Sequence, residues 1–159
     1  MTAAKTLVTA VISAIALAVP VRALALDADA SLTRLIQVMN ESMPPHSNPA
    51  AIAALFAEDG AEIHPFGEPP GGPYRGRQAI KGFFSGFDPR YQAWTHVEKS
   101  RVVGGRQAVW EGEAQGHDRA TGKFLSLPIV FFFEFDDSGL VREHRVYVDI
   151  HLVKEQMGR

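Results

Sequence analysis

Gln107-Ala108-Val109-Trp110-Glu111-Gly112-Glu113-Ala114-Gln115-Gly116-His117 is the stretch from which the fold can be read. Its alternate positions differ in character. Ala108, Trp110, Gly112, Ala114 and Gly116 form one set, and Val109, Glu111, Glu113, Gln115 and His117 the other. A period of two is that of a strand whose faces meet different surroundings. The charged set points to solvent. The other set is mostly small, so it leaves room for a cavity or lets a helix approach closely. Further strands are expected downstream and upstream, over about Gln92–Val103, Phe124–Phe135 and Val141–Ile150. They are separated by Gly104-Gly105, Ala120-Thr121-Gly122 and Asp136-Asp137-Ser138-Gly139. Connections this short and this rich in turn residues make hairpins of one antiparallel sheet.

Before Gln92 the period is near four. Leu32, Leu35, Ile36, Met39 and Met43 share one helical face, with Asp29 or Ser31 as cap and Pro44-Pro45 as stop. Asn48 followed by Pro49 supplies a cap and a proline at the first helical position, and Ile52, Leu55 and Phe56 make a stripe that predicts a second helix stopping near Gly60. Ala61–His64 reads as extended, because the residue before Pro65 is pushed out of the helical region. Gly67–Pro73, with three glycines and three prolines, is a loop. A third helix is expected over about Arg77–Gly86, carrying Ile80, Phe83, Phe84 and Phe87 on one side. Asp149 is placed to cap a last helix running through Gln156. Helices first and strands afterwards predict an α+β fold, with three N-terminal helices packed on a strongly curved, mainly antiparallel sheet.

The N-terminus bears on location. A positive charge at Lys5 precedes an apolar run from Leu7 to Val19, interrupted by Thr9 and Ser13, and the segment closes on Ala23-Leu24-Ala25. That is the layout of a secretory signal peptide. The run is shorter than the roughly 20 residues a membrane-spanning helix needs. The expectations are a signal peptide over 1–25, a periplasmic or secreted product with no stable membrane anchor after cleavage, and one domain over 26–159. The chain has no cysteine, so packing alone stabilises it. Loss of Lys5 and Arg22 from 16 basic side chains leaves 14 against 18 acidic ones, which gives no basic footprint for nucleic acid.

Several short motifs then fall in a recognisable order. They are Leu55-Phe56-Ala57-Glu58-Asp59 before a short strand, Pro65-Phe66-Gly67, and Tyr74-Arg75-Gly76-Arg77-Gln78-Ala79-Ile80 opening the third helix. Trp110 and the ending Gly139–Asp149 with Arg145-Val146-Tyr147-Val148-Asp149 complete the set. Over about residues 31–157 the chain resembles the SnoaL-like branch of the nuclear transport factor 2-like superfamily. The resemblance implies a ketosteroid isomerase-like cone enclosing a pocket, in a superfamily of isomerases, cyclases, dehydratases, epoxide hydrolases and non-catalytic binders. It also implies departures. The catalytic aspartate of ketosteroid isomerases falls on His64, the aspartate of their oxyanion hole on Phe131, and their helical tyrosine near Val38 or Met39. The arginine and two aspartates of limonene epoxide hydrolases fall on Gly112, Ala114 and Val146. Neither of those mechanisms can operate here unchanged.

Strand alternation leaves a smaller polar set inside the cone. Glu62 and His64 share a face about 7 Å apart, and His144, Val146 and Val148 turn inward on the last strand. Trp110, Phe131 and Phe133 are expected as apolar walls. In this reading His64 is a catalytic base, Glu62 orients it and raises its pKa, and His144 is a second acid or base. Trp110, Phe131, Phe133, Val146 and Val148 contact the ligand, and the Gly67–Pro73 loop borders the mouth. Two histidines and a glutamate without a local ligand motif give no metal site, and no cofactor is expected. Trp94 and His96 share a face whose register the sequence does not fix. Glu111 and Glu113 read as a solvated face paired with Arg145. Val130, Phe132 and Tyr147 on the convex side predict a homodimer. The function expected is binding of a small, largely apolar molecule with cofactor-independent acid/base chemistry of isomerase, cyclase, dehydratase or hydrolase type. A non-catalytic ligand-binding or carrier module and a dimeric interaction protein remain as alternatives.

Overall fold

The computed structural model describes residues 26–66 and 72–158. The signal-peptide reading of residues 1–25 and most of the glycine- and proline-rich loop lie outside them. Among the described residues, no helix is long and apolar enough to cross a membrane.

Helix α1 (Ala28–Ser42) is capped by Asp27, whose carboxylate accepts the Ala30 N–H at 3.0 Å, and not by Asp29 or Ser31. The earlier start adds buried Ala28 to the apolar stripe through Leu32, Leu35, Ile36 and Met39. Asn48 caps α2 (Pro49–Ala53) with Pro49 in its first turn. This helix stops well before Gly60, because Phe56 already belongs to strand β1 (Phe56–Ile63). Leu55 and Phe56 fit a helical stripe equally well, but backbone pairing with a distant strand claims Phe56. A short β2 (Pro73–Arg75), absent from the sequence reading, precedes α3 (Gly76–Ser85). Then come β3 (Tyr91–Gly104), β4 (Gln107–Asp118), β5 (Phe124–Phe135), β6 (Val141–Val148) and α4 (Ile150–Met157), the last capped by Asp149.

The six strands form one mixed sheet in the order β2-β1-β6-β5-β4-β3. All neighbours are antiparallel except β1 and β6, which run parallel. Register shifts interrupt β3 against β4 at Tyr91/Ala93 and Glu98/Ser100, the kind of irregularity at which a strand bends. Helix α1 packs on β3 and β4, and α3 on β1. Between them lies the core, with Leu32, Leu35, Ile80, Trp110, Phe131, Phe133 and Phe135 fully enclosed.

Strand β4 alternates as its sequence reads, with Ala108, Trp110, Gly112, Ala114 and Gly116 all buried. The glycines serve neither a helix nor a void. A Cβ on Gly112 would stand 2.3 Å from Cη2 of Trp110, and one on Gly116 2.5 Å from Cε3 of Trp94. Each glycine makes a flat seat for an indole. The register of β3 is thereby settled, with Trp94 opposite Gly116, His96 opposite Ala114, and both side chains buried. On the outer face Arg145 does not reach Glu111 or Glu113, because β5 separates β4 from β6. Arg145 bonds Glu143, and Glu113 pairs with Lys99.

Candidate active site

Between α3, the sheet and α4 lies a cavity of about 480 Å³. Phe83 on α3 and Phe87, in the turn just past its end, form one wall. Tyr91 and Trp94 of β3 continue it, and Ala114, Leu127, Ile129 and Val148 give the sheet side. Val153 of α4 adds to the lining. Ala79 and Gly82 on α3 and Gly86 at its C-cap also line the cavity, so little bulk enters there besides the two phenylalanines. The polar lining comes from His64, Tyr74 and Arg90, and among the described residues no carboxylate lines this space. Such a surface suits an apolar, ring-bearing molecule of modest size.

Behind it is a hollow of about 30 Å³. It shares His64, Phe83, Phe87, Trp94 and Ile129 with the cavity and adds Glu62, His96 and His144. Glu62 and His144 are direct register partners across β1 and β6. Their side chains meet with His144 Nδ1 2.5 Å from Glu62 Oε2, and both are essentially inaccessible to solvent. Phe133 stacks on the imidazole at 4.4 Å between centroids and 14° between planes, while Phe131 meets it edge-on at 4.8 Å. The ring is thus fixed in place: a carboxylate accepts, so Nδ1–H donates, and the second ring nitrogen Nε2 is left over. His144 Nε2 and Glu62 Oε1 are buried, and neither has a hydrogen-bond partner among the described residues.

His64 follows β1 and sits between Phe83 and Phe66, 5.0 and 5.4 Å away by ring centroids. Its Nδ1 accepts the Phe66 N–H at 3.3 Å, which leaves the proton of the neutral ring on Nε2. Burial first, then the charges of His144 and Arg90, push its pKa down to about 3. At neutral pH it is an uncharged hydrogen-bond donor and a poor proton acceptor. His96 is also neutral, its pKa lowered to about 3 chiefly by burial and further by His144. Asn40 Oδ1 lies 3.0 Å from its Nδ1 and accepts its backbone N–H at 2.8 Å, and the Trp94 indole N–H donates to its Nε2 at 3.3 Å. With every ring nitrogen engaged, His96 ties α1 to β3.

Residues 32–144 match the family model of the SnoaL-like domain. The chain belongs to the SnoaL-like family. Solved structures agree on the fold. One is a ketosteroid isomerase-like protein from Catenulispora acidiphila in complex with trimethylamine, 18% identical with TM-score 0.67 over 78% of this chain and 92% of that one. Another is an NTF2-like protein of unknown function from Burkholderia pseudomallei, at 15%, TM-score 0.71, 83% and 98%. A third is a candidate SnoaL-like polyketide cyclase from Jannaschia sp. CCS1, at 16%, TM-score 0.68, 81% and 90%. No functionally curated protein matches the chain.

Within this SnoaL-like domain the residues singled out from sequence are distributed differently from expectation. Glu62 orients His144 and not His64, because a cross-strand neighbour stands roughly 4.8 Å away and a residue two along the same strand about 7 Å. Deprived of the carboxylate, His64 has its pKa lowered where the sequence reading had it raised. Trp110, Phe131 and Phe133 do not line the cavity. Trp110 stacks on Phe131 at 5.0 Å and donates its indole N–H to Glu98 at 2.8 Å, while Phe133 covers His144. Phe131 and Val146 reach the hollow, and Val148 lines the cavity itself. The sequence reading missed Phe87, Tyr91, Arg90, Tyr74 and Val153 as lining. A signal was present: Phe83, Phe87, Tyr91 and Trp94 recur every three or four residues across the end of α3, more aromatic surface than one helix contact requires. Among the described residues, no group of three or more histidine, aspartate or glutamate side chains is arranged to hold a metal ion.

Proposed function

We propose that this SnoaL-like protein binds a small, largely apolar, ring-bearing molecule in its aromatic-walled cavity and catalyses a cofactor-independent proton transfer on it. His144, oriented by Glu62, is the acid/base. His64 donates a hydrogen bond from Nε2 to an oxygen of the ligand. The curved sheet with α1–α3 over it reads as the cone of the family, and the cavity as its interior.

The observation that carries this reading is the buried Glu62–His144 pair, whose Nε2 has no partner among the described residues, behind the cavity. An enclosed pair of this kind does little for stability compared with apolar side chains of the same volume. An imidazole oriented by a carboxylate beside a pocket is instead the arrangement that proton transfer needs. The competing carrier reading draws on the near-complete enclosure of His144, which keeps the imidazole behind the cavity wall.

β-Tetralone, a two-ring ketone with acidic α-protons, separates the two. Binding is followed by fluorescence of the cavity's Trp94, and exchange of the α-protons in D₂O by NMR. The expected result is binding with accelerated exchange, reduced about 10²-fold or more by His144→Gln. Binding without exchange would make the protein a carrier, and absence of binding would remove both readings.

The same proposal extends to location and assembly. The Lys5 charge, the apolar run and Ala23-Leu24-Ala25 support export of residues 26–159 to the periplasm or beyond. On the outer face of the sheet Val102 stands opposite Val109, Val109 opposite Phe132, and Val130 opposite Tyr147. Val102 and Tyr147 are 71% and 55% exposed. This apolar band supports a homodimer through the sheet, which sedimentation velocity tests directly.

A further inference from the structure

The polar side chains of the aromatic-walled cavity, His64, Tyr74 and Arg90, can all donate hydrogen bonds, and among the described residues no carboxylate faces them. His64 is neutral at pH 7 and offers Nε2–H, since its Nδ1 accepts the Phe66 N–H. Arg90 offers only donors and a fixed positive charge. Its side chain is exposed, and among the described residues its guanidinium has no hydrogen-bond or ion-pair partner, Asp88 two positions earlier included. The backbone that carries it is pinned. The Arg90 N–H donates to the Phe87 carbonyl at 3.0 Å, and the Arg90 carbonyl accepts the Arg119 N–H at 2.9 Å. The Arg119 guanidinium donates to the carbonyls of Asp88 and Tyr91, at 3.1 and 2.9 Å, on either side. A cation is thus held on a fixed base at the edge of an apolar wall. Its charge reaches into the cavity, where it is one of the causes that keep the His64 pKa low.

We propose that Arg90 binds a carboxylate and that the ligand is therefore an aromatic carboxylic acid, taken as its anion with the ring system against Phe83, Phe87 and Trp94. This inference rests on the ligand-binding reading above and narrows its apolar ring to an aromatic anion. In a pocket with mostly apolar walls, the few polar groups decide which ligand is taken and in which direction it lies. Low-dielectric walls also strengthen the field of a single charge at their edge. A neutral ligand makes no use of that field, a cation is repelled by it, and a carboxylate is drawn to it. The planar fork of a guanidinium matches both oxygens of a carboxylate, which fixes the orientation of the bound acid as well as its sign. Arg90 is on the solvent side, whereas His144 lies in the hollow behind the cavity. The carboxylate accordingly points outward, where it keeps part of its hydration, and the far end of the ring system points toward the hollow. His64, which lines both spaces, keeps its Nε2–H for a second oxygen on the ring system.

The test compares 2-naphthoate with 2-naphthamide, which has the same ring system and no charge, by titration calorimetry on the mature protein. The carboxylate should bind about 10-fold more tightly, the low end for a hydrogen-bonded charge because Arg90 is exposed. Raising the salt concentration should shrink that preference. Arg90→Gln should bring the ratio of the two affinities close to one, and Arg90→Lys, which keeps the charge without the fork, should restore part of it. Circular dichroism of both variants checks that the fold is intact. Equal affinities in the parent protein, or a preference that survives Arg90→Gln, would overturn the proposal. β-Tetralone keeps the two readings apart. Accelerated exchange of its protons without a preference for naphthoate would strike the anion site and leave the acid/base reading standing. Preferred binding of naphthoate without exchange on β-tetralone would keep the anion site and strike the acid/base role, and failure of all three compounds to bind would remove both.

Discussion

At Gly112 a single missing methyl group decides whether the centre of the sheet can close. A Cβ there would lie 2.2 Å from the Val97 carbonyl oxygen and 2.3 Å from Trp110 Cη2. Neither can retreat, since the carbonyl belongs to the β3–β4 pairing and the indole is clamped between Phe131 and its bond to Glu98. Gly112→Ala should therefore cost about 2–4 kcal/mol in urea unfolding, at or above the usual overpacking penalty. Gly104, at the end of the same β3, supplies the control, because a Cβ there would meet nothing within 4 Å. Gly104→Ala should be neutral or slightly stabilising, since it restricts the unfolded chain without a clash. Equal losses in both variants would mean that the indole seat is not what fixes β4.

At the scale of elements, α4 shows how a short helix is held where its own length could not sustain it. Asp149 accepts the N–H groups of His151 and Leu152 at 2.8 and 3.2 Å, and Gly158 takes the left-handed conformation past the other end. Gln156 then exchanges two hydrogen bonds with the backbone of Ser126 on β5. Since Val153 lines the cavity, the cap also holds part of its wall. Asp149→Ala should lower stability by about 1 kcal/mol and raise proteolysis after residue 149, both by more than Lys154→Ala does. This cap is legible in the sequence, as are β3 to β6, because each depends on residues adjacent in the chain. The alternation of β4 names its faces, and Gly-containing turns separate successive strands from β3 to β6. What cannot be read is pairing across distance. Glu62 and His144 are 82 residues apart, and nothing in either segment specifies the offset at which parallel β1 meets β6. Alternation marks both as inward polar groups, yet it assigns Glu62 to the wrong histidine. Inward orientation also carries no depth. Trp110 and Phe133 face in as read, but α1 covers that part of the sheet, and the open space lies further along toward Trp94 and Ile129.

Over the whole molecule, half-buried His64 and buried His96 couple folding to pH in a window of their own. His64 and His96 each have a folded pKa of about 3, well below the ordinary value near 6.5 that they regain on unfolding. Between those values the unfolded chain binds protons that the folded one refuses, so stability rises with pH across the window and falls on acidification from neutral. The carboxylates act lower. Glu113, held down to about 2 first by its bond to Lys99, loses its contribution only as pH falls from the ordinary carboxylate value toward that folded one. The interval from pH 7 to 5.5 therefore isolates the histidines. Urea unfolding should show a loss of about 1–3 kcal/mol over that interval. His96→Gln, which keeps an amide facing Asn40, should remove roughly half of the pH dependence while lowering stability at pH 7. A flat profile in the parent protein would show that these rings accept protons without unfolding, and the neutral His64 assigned to the cavity would fall with it.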